Sequence, residues 1–180
     1  RHFNRRVYWV GGLAAAGLIS GMVIHGFEDA LTNLVILAFY MPMVADTGGN
    51  VGSQAATVVV RALAVGEISA RDWWRVVLKE AGIGLLLCSL LGALAFGKVL
   101  FLSQGTELPD GYTLKQIAWV ISIALSLQTV TSTIVGAGLP ILARAARLDP
   151  AVVSTPALTT IVDITGLLIY FTTARAMLHI

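Results

Sequence analysis

The chain has 180 residues, 57% hydrophobic and 12% charged, with 12 Lys and Arg against 10 Asp and Glu and a formal charge of +2. Soluble domains carry about a quarter charged residues, and one water-facing domain of this length cannot hide so much apolar surface. An ordinary soluble enzyme, a disordered segment and a basic nucleic-acid binder are therefore excluded, and a single cysteine, Cys88, excludes a disulfide framework or CxxC metal site within one chain.

A membrane helix needs about 20 apolar residues, and charges and turn residues cut this sequence into five stretches at about 7–27, 31–64, 76–102, 112–143 and 151–178. They are too long for barrel strands and lack strict alternation, so an all-α membrane protein with five transmembrane helices is expected. In the first stretch, Arg5 and Arg6 before an apolar run containing Ala14-Ala15-Ala16 imitate a signal peptide; four further spans favour a true first helix. Gly17-x-x-x-Gly21 in this span is read as a packing motif.

The second stretch carries Pro42-Met43-Val44-Ala45-Asp46-Thr47-Gly48-Gly49-Asn50-Val51-Gly52-Ser53-Gln54-Ala55-Ala56-Thr57. At helical spacing Asp46, Asn50, Gln54 and Thr57 fall on one face, a stripe of oxygen-bearing groups. Gly48-x-x-x-Gly52 alone is explained by close helix packing; the added carboxylate is not. In the third stretch Glu80 is read as a helix-end charge paired with Lys79 or Arg75, and Cys88 as a small core residue. Glu107, Pro109, Asp110 and Gly111 mark a loop. The fourth stretch carries Ser122, Ser126, Thr129 and Thr133, with Gln128 and Gly136, read as packing first and cavity lining second.

In the fifth stretch Thr155, Thr159 and Asp163 share a face at spacing i, i+4, i+8, and Pro156 withholds a backbone N–H. Carboxylate, hydroxyls and freed carbonyls are hard oxygen donors that suit Mg2+ or Ca2+. Intramembrane carboxylates usually face a cavity, a partner or an ion, which singles out Asp46 and Asp163. The competing reading of Asp163 is a structural carboxylate bonded to a neighbouring helix. Asp149, at the start of this span, favours a helix N-terminus electrostatically.

Arg1, Arg5, Arg6, Arg61, Arg71, Arg75, Lys79, Arg144 and Arg147 collect on one side, and Lys98, Lys115 and Arg175 on the other. This bias predicts a cytoplasmic N-terminus and an outside C-terminus, with Trp9, Trp73 and Trp74 in an aromatic belt. His2, His25 and His179 are far apart and read as interface-level polar residues. An odd span count excludes two equal inverted halves. The start at Arg1 rather than Met leads us to expect a fragment or excised domain.

The segment Pro42 to Gln54 resembles the signature of the MgtE family of magnesium channels, and Thr159-Thr160-Ile161-Val162-Asp163-Ile164-Thr165-Gly166 is similar to the acidic last span of the same family. The resemblance covers the whole chain as one transmembrane channel domain. It implies a homodimer in the cell inner membrane, with a pore on the two-fold axis lined by spans two and five and mediating magnesium uptake. It implies that Asp163 holds the ion and that Asp149 binds Mg2+ at the inner mouth, unless it simply caps its helix. It also implies cytoplasmic regulatory domains that this chain lacks, and a non-enzyme. Beside the resemblance, Asn50 and the Gly48-Gly49 backbone are the next candidates for pore lining and metal contact, Thr159 shares the face of Asp163, and Asp46 either lines the outer vestibule or serves helix packing.

Mg2+ gives up water reluctantly, so a hydrated ion held by two copies of Asp163 is the expected mode. Three rivals stand beside this reading. A secondary divalent-cation transporter coupled to H+ or Na+ also needs membrane acids. An intramembrane aspartyl protease needs two aspartates, but the Gly-x-Gly-Asp pattern is absent at Asp46 and Asp163. A structural anchor predicts that both aspartates are dispensable.

Overall fold

The computed structural model describes residues 2–180, except for the side chains of residues 2–6, 8–10, 153, 155 and 156. The expectations for Arg1, His2, Arg5, Arg6, Trp9, Thr155 and Pro156 fall on side chains outside the described residues. Every regular element described is helical: α1 (His2–Gly26), α2 (Glu28–Asn33), α3 (Ile36–Ala64), α4 (Trp73–Leu102), α5 (Leu114–Ala145) and α6 (Pro150–Leu178), with a 3-10 turn at Ala70–Asp72 before α4. The second predicted stretch is thus two helices. The break falls at Leu34, whose φ of −134° and ψ of 76° leave the helical region while its side chain is wholly buried.

The helix ends are encoded locally. Thr113 caps α5 reciprocally with Gln116, its Oγ1 accepting from Gln116 N–H while its own N–H donates to Gln116 Oε1 at 2.9 Å. Asp149 caps α6 by accepting from Ala151 N–H at 2.9 Å, and Pro150 takes the first helical position. Gly66, with φ of +76°, ends the turn after α3 in a conformation that costs glycine little.

At 1.5 Å per residue, helices of 29–32 residues exceed the roughly 30 Å hydrocarbon core of a bilayer. Among the described residues three helical segments are both long and apolar enough to cross a membrane: Ala70–Leu102, Leu114–Ala145 and Ala157–Leu178. The apolar part of α1, Gly11–Gly26, is shorter. α3 is not among the three, because its middle is polar.

α5 is the hub, packing on α3, α4 and α6, while α3 also packs on α6 and α1 lies against α6. Close contacts give the directions. α3 runs parallel to α5, Gly48 meeting Gln128 and Gly52 meeting the Gly136 turn. α4 runs antiparallel to α5, Gly92 against Ser122 and Ser126, Gly84 against Thr133. α6 runs antiparallel to α3, Tyr170 OH donating to Leu37 O at 2.8 Å at one end and Leu158 meeting Gly52 further along. These directions bring Arg61, Arg71, Arg75, Lys79, Arg144 and Arg147 to one end of the bundle.

The α5 hydroxyl stripe is packing glue, as its sequence indicated. Ser122 Oγ donates to Gly92 O at 2.6 Å and Ser126 Oγ to Cys88 O at 3.1 Å, while Thr129 and Thr133 bond carbonyls of their own helix. One expectation is corrected. Among the described residues Glu80 has no cationic partner within 4.0 Å, Lys79 and Arg75 included; it is buried on the stripe of α4 shared with Gly84, Ala95 and Val99, which faces α5. Gly17 and Gly21 are exposed, and among the described residues nothing lies within 4 Å of a Cβ at either.

Candidate cation site

α3 has two opposed faces. Gly48, Val51, Gly52, Ala55, Ala56 and Val59 are buried. They give a smooth side on which α5 approaches until the Gly52 carbonyl lies over Gly136. Asp46, Asn50, Gln54 and Thr57 are all exposed on the other side, the stripe that helical spacing predicts. Within it Asn50 Nδ2 donates to Asp46 Oδ2 at 3.2 Å. The close packing of Gly48 and Gly52 and the oxygen-bearing stripe thus occupy different faces of one helix.

On α6, Asp163 is half-buried and Thr159, one turn before it, is exposed. Neighbouring Leu158 and Val162 are buried and pack with Ala56 of α3. The antiparallel register sets the depth of Asp163. Gly52 of α3 lies level with Leu158 of α6, and Gly48 and Gly166 flank the same side chain, Gln128. Asp163 therefore stands at the depth of the Gly48–Asn50 turn. The two acidic elements, more than a hundred residues apart in sequence, are brought to one level of the bundle. Asp149 is not brought there: it is exposed at the far end of α6 and engaged as the helix cap.

Among the described residues no three His, Cys, Asp or Glu side chains converge on one point. What the chain offers is a row of carboxylate, amide and hydroxyl oxygens on an outward face, suited to hydrogen-bonding the water shell of a hard cation. Gln128, on a helix whose sequence reads as packing first and cavity lining second, belongs to the surroundings of this row. It is wholly buried between α3 and α6, with Nε2 donating to Val162 O at 2.9 Å. The signal was the absence of a side chain at both Gly48 and Gly166, which only the tertiary arrangement places around one residue.

The family model of MgtE, described as a divalent cation transporter, matches residues 41–173. A protein named magnesium transporter MgtE from Thermus thermophilus is 43% identical over 174 residues, covering 97% of this chain. Proteins of that name from Bacillus subtilis and Enterococcus faecalis are 37% and 30% identical over 97% and 98% of the chain. The chain spans 36–37% of the length of these relatives. With the matched region running from the first residues of the polar α3 segment to beyond Asp163, the chain belongs to the MgtE family of divalent cation transporters.

Proposed function

We propose that this chain is the pore-forming part of a Mg2+-selective channel, with five membrane crossings made by α1, α3, α4, α5 and α6. Two copies pair about a two-fold axis so that α3 and α6 of each face a shared water-filled path. The observation that carries this reading is the exposed stripe Asp46, Asn50, Gln54 and Thr57 at the depth of Asp163, on a bundle whose other surfaces are largely apolar. Such a face in contact with lipid is costly; a second copy and water remove that cost.

In this mechanism the two Asp163 carboxylates stand across the path and hold a hydrated Mg2+ through its water shell. Two negative charges attract a divalent ion more strongly than a monovalent one. Asn50 Nδ2 engages Asp46, leaving its amide carbonyl to accept from the ion's waters, and Thr159 adds a hydroxyl one turn along α6. Asp149 stands at the inner mouth. The cation-rich end of the bundle is cytoplasmic by the positive-inside rule, which puts the N-terminus inside, the C-terminus outside and the protein in the cell inner membrane. Cytoplasmic regulatory domains of the longer protein control opening.

The test is Asp163→Asn in proteoliposomes and planar bilayers, with dimer formation followed by cross-linking. Loss of Mg2+ selectivity in a dimer that still assembles supports the reading, and unchanged flux overturns it. Wild-type current that follows the electrochemical gradient of Mg2+ alone supports a channel. A strict requirement for an H+ or Na+ gradient replaces it with coupled transport.

A further inference from the structure

Gln128 sits in the middle of α5 with no exposure to solvent, and its side chain threads between two glycines on two other helices. A Cβ at Gly48 of α3 would lie 2.6 Å from Gln128 Nε2 and 2.9 Å from its Cγ. A Cβ at Gly166 of α6 would lie 2.8 Å from Nε2 and 3.1 Å from Cδ. The amide therefore occupies the space that both missing side chains leave open. Its hydrogen bond runs from Nε2 to Val162 O, at 2.9 Å. That carbonyl belongs to the peptide unit whose nitrogen is that of Asp163. Among the described residues the other end of the amide, Oε1, has no partner, nor has Ser132 Oγ one turn further along α5.

An apolar side chain of the same length would fill this gap without burying a carbonyl that finds no donor, an arrangement proteins generally avoid. The donor to Val162 accounts for an amide here. Gly48 lies two residues from both Asp46 and Asn50, so the same side chain touches the backbone of the polar turn on α3 and bonds the backbone of the acidic turn on α6. We infer that Gln128 is a positioning residue, which fixes the Asp163 turn of α6 against the Asp46–Asn50 turn of α3 and so sets ion selectivity without touching the ion. The inference rests on the channel reading above.

The experiment separates space-filling from donation. Gly166→Ala alone drives a methyl group into Gln128 and lowers Tm in detergent. Gln128→Ala with Gly166→Ala removes the clash, so the double variant recovers Tm. Mg2+ and Ca2+ fluxes of the full chain in proteoliposomes then give the selectivity. In the double variant the Mg2+/Ca2+ flux ratio falls up to about tenfold, what one hydrogen bond of ordinary net strength supplies. A wild-type ratio in the recovered double variant overturns the inference, since Gln128 would then only fill space. If the double variant does not assemble, Gln128→Met keeps the length and removes the donor; a wild-type ratio there overturns the inference equally, and a reduced one supports it. Asp163→Asn in the same assay tests the pore reading separately: unchanged flux there defeats that reading whatever the Gln128 variants do.

Discussion

Replacing Gly136 with alanine places a methyl group on the backbone of α3. A Cβ at this position falls on the Gly52 carbonyl oxygen and lies 3.0 Å from both the carbonyl carbon and Cα of Gly52. Ordinary van der Waals contact begins at 3.4 Å, and the obstacle is backbone, so no rotamer change relieves it. α3 and α5 must separate by several tenths of an ångström or more, loosening the contact of Gly52 with the Ser132 carbonyl and Leu158 as well. Overpacking a close-packed interior costs about 1–3 kcal/mol. At this chain length a loss of about 2 kcal/mol lowers Tm by about 4–8 °C. The assay is the temperature at which the detergent-solubilised protein loses its monodisperse chromatographic peak. Gly49→Ala is the control, because nothing lies within 4 Å of a Cβ there; its Tm stays at the wild-type value. Equal Tm for wild type and Gly136→Ala, or an equal fall for both variants, would refute the proposed crossing of α3 and α5 at Gly52 and Gly136.

Ser122→Ala removes the 2.6 Å hydrogen bond to Gly92 O between α5 and α4. Interhelical bonds of this kind in membranes average about 0.6 kcal/mol and reach about 1.7, so a small fall in Tm with unchanged Mg2+ flux per folded protein is expected, both read on the same preparation. At Asp149 the two candidate roles separate by substitution: alanine removes the cap at a cost of about 0.5–2 kcal/mol, whereas serine keeps a capping oxygen. Asp149→Ser retains Tm in either case. Wild-type Mg2+ flux in that variant assigns Asp149 to capping alone, and reduced flux assigns its carboxylate to the inner mouth.

Periodicity exposed the α3 stripe because spacing of three and four residues on a helix is a property of the chain alone. Asp46, Asn50, Gln54 and Thr57 needed no neighbour to be grouped, and Gly48 and Gly52 fell on the opposite side by the same arithmetic. The break at Leu34 was not legible, since an apolar residue continues an apolar run until the core claims its side chain. Gly17 and Gly21 show the limit of a spacing motif: it states that close approach is possible, not that a partner in the same chain uses it. Glu80 was assigned by its cationic neighbours in sequence, Lys79 and Arg75, yet the face of α4 that α5 covers decided its burial. Gln128 was read no further than packing and cavity lining for the same reason, because its place between two glycines depends on helices that only the fold brings to it.

The polarity of α3 links the fold to the proposed channel. A helix with Asp at its centre pays about 2.5–3.5 kcal/mol on insertion scales, and Asp46, Asn50 and Gln54 together keep α3 from qualifying as an apolar span among the described residues. The bundle does not bury these groups, although burying them against α5 would shield them from lipid; it gives that side to glycine, alanine and valine instead. The polar side is left outward at the depth where Asp163 stands half-buried on α6. A purely structural helix would be expected to do the reverse, placing its few polar groups inward where neighbouring helices hydrogen-bond them, as Ser122, Ser126 and Gln128 of α5 do. The two helices thus divide the work: α5 uses polar groups to hold the bundle together, and α3 presents them to a surface that only water, an ion or a second copy can match.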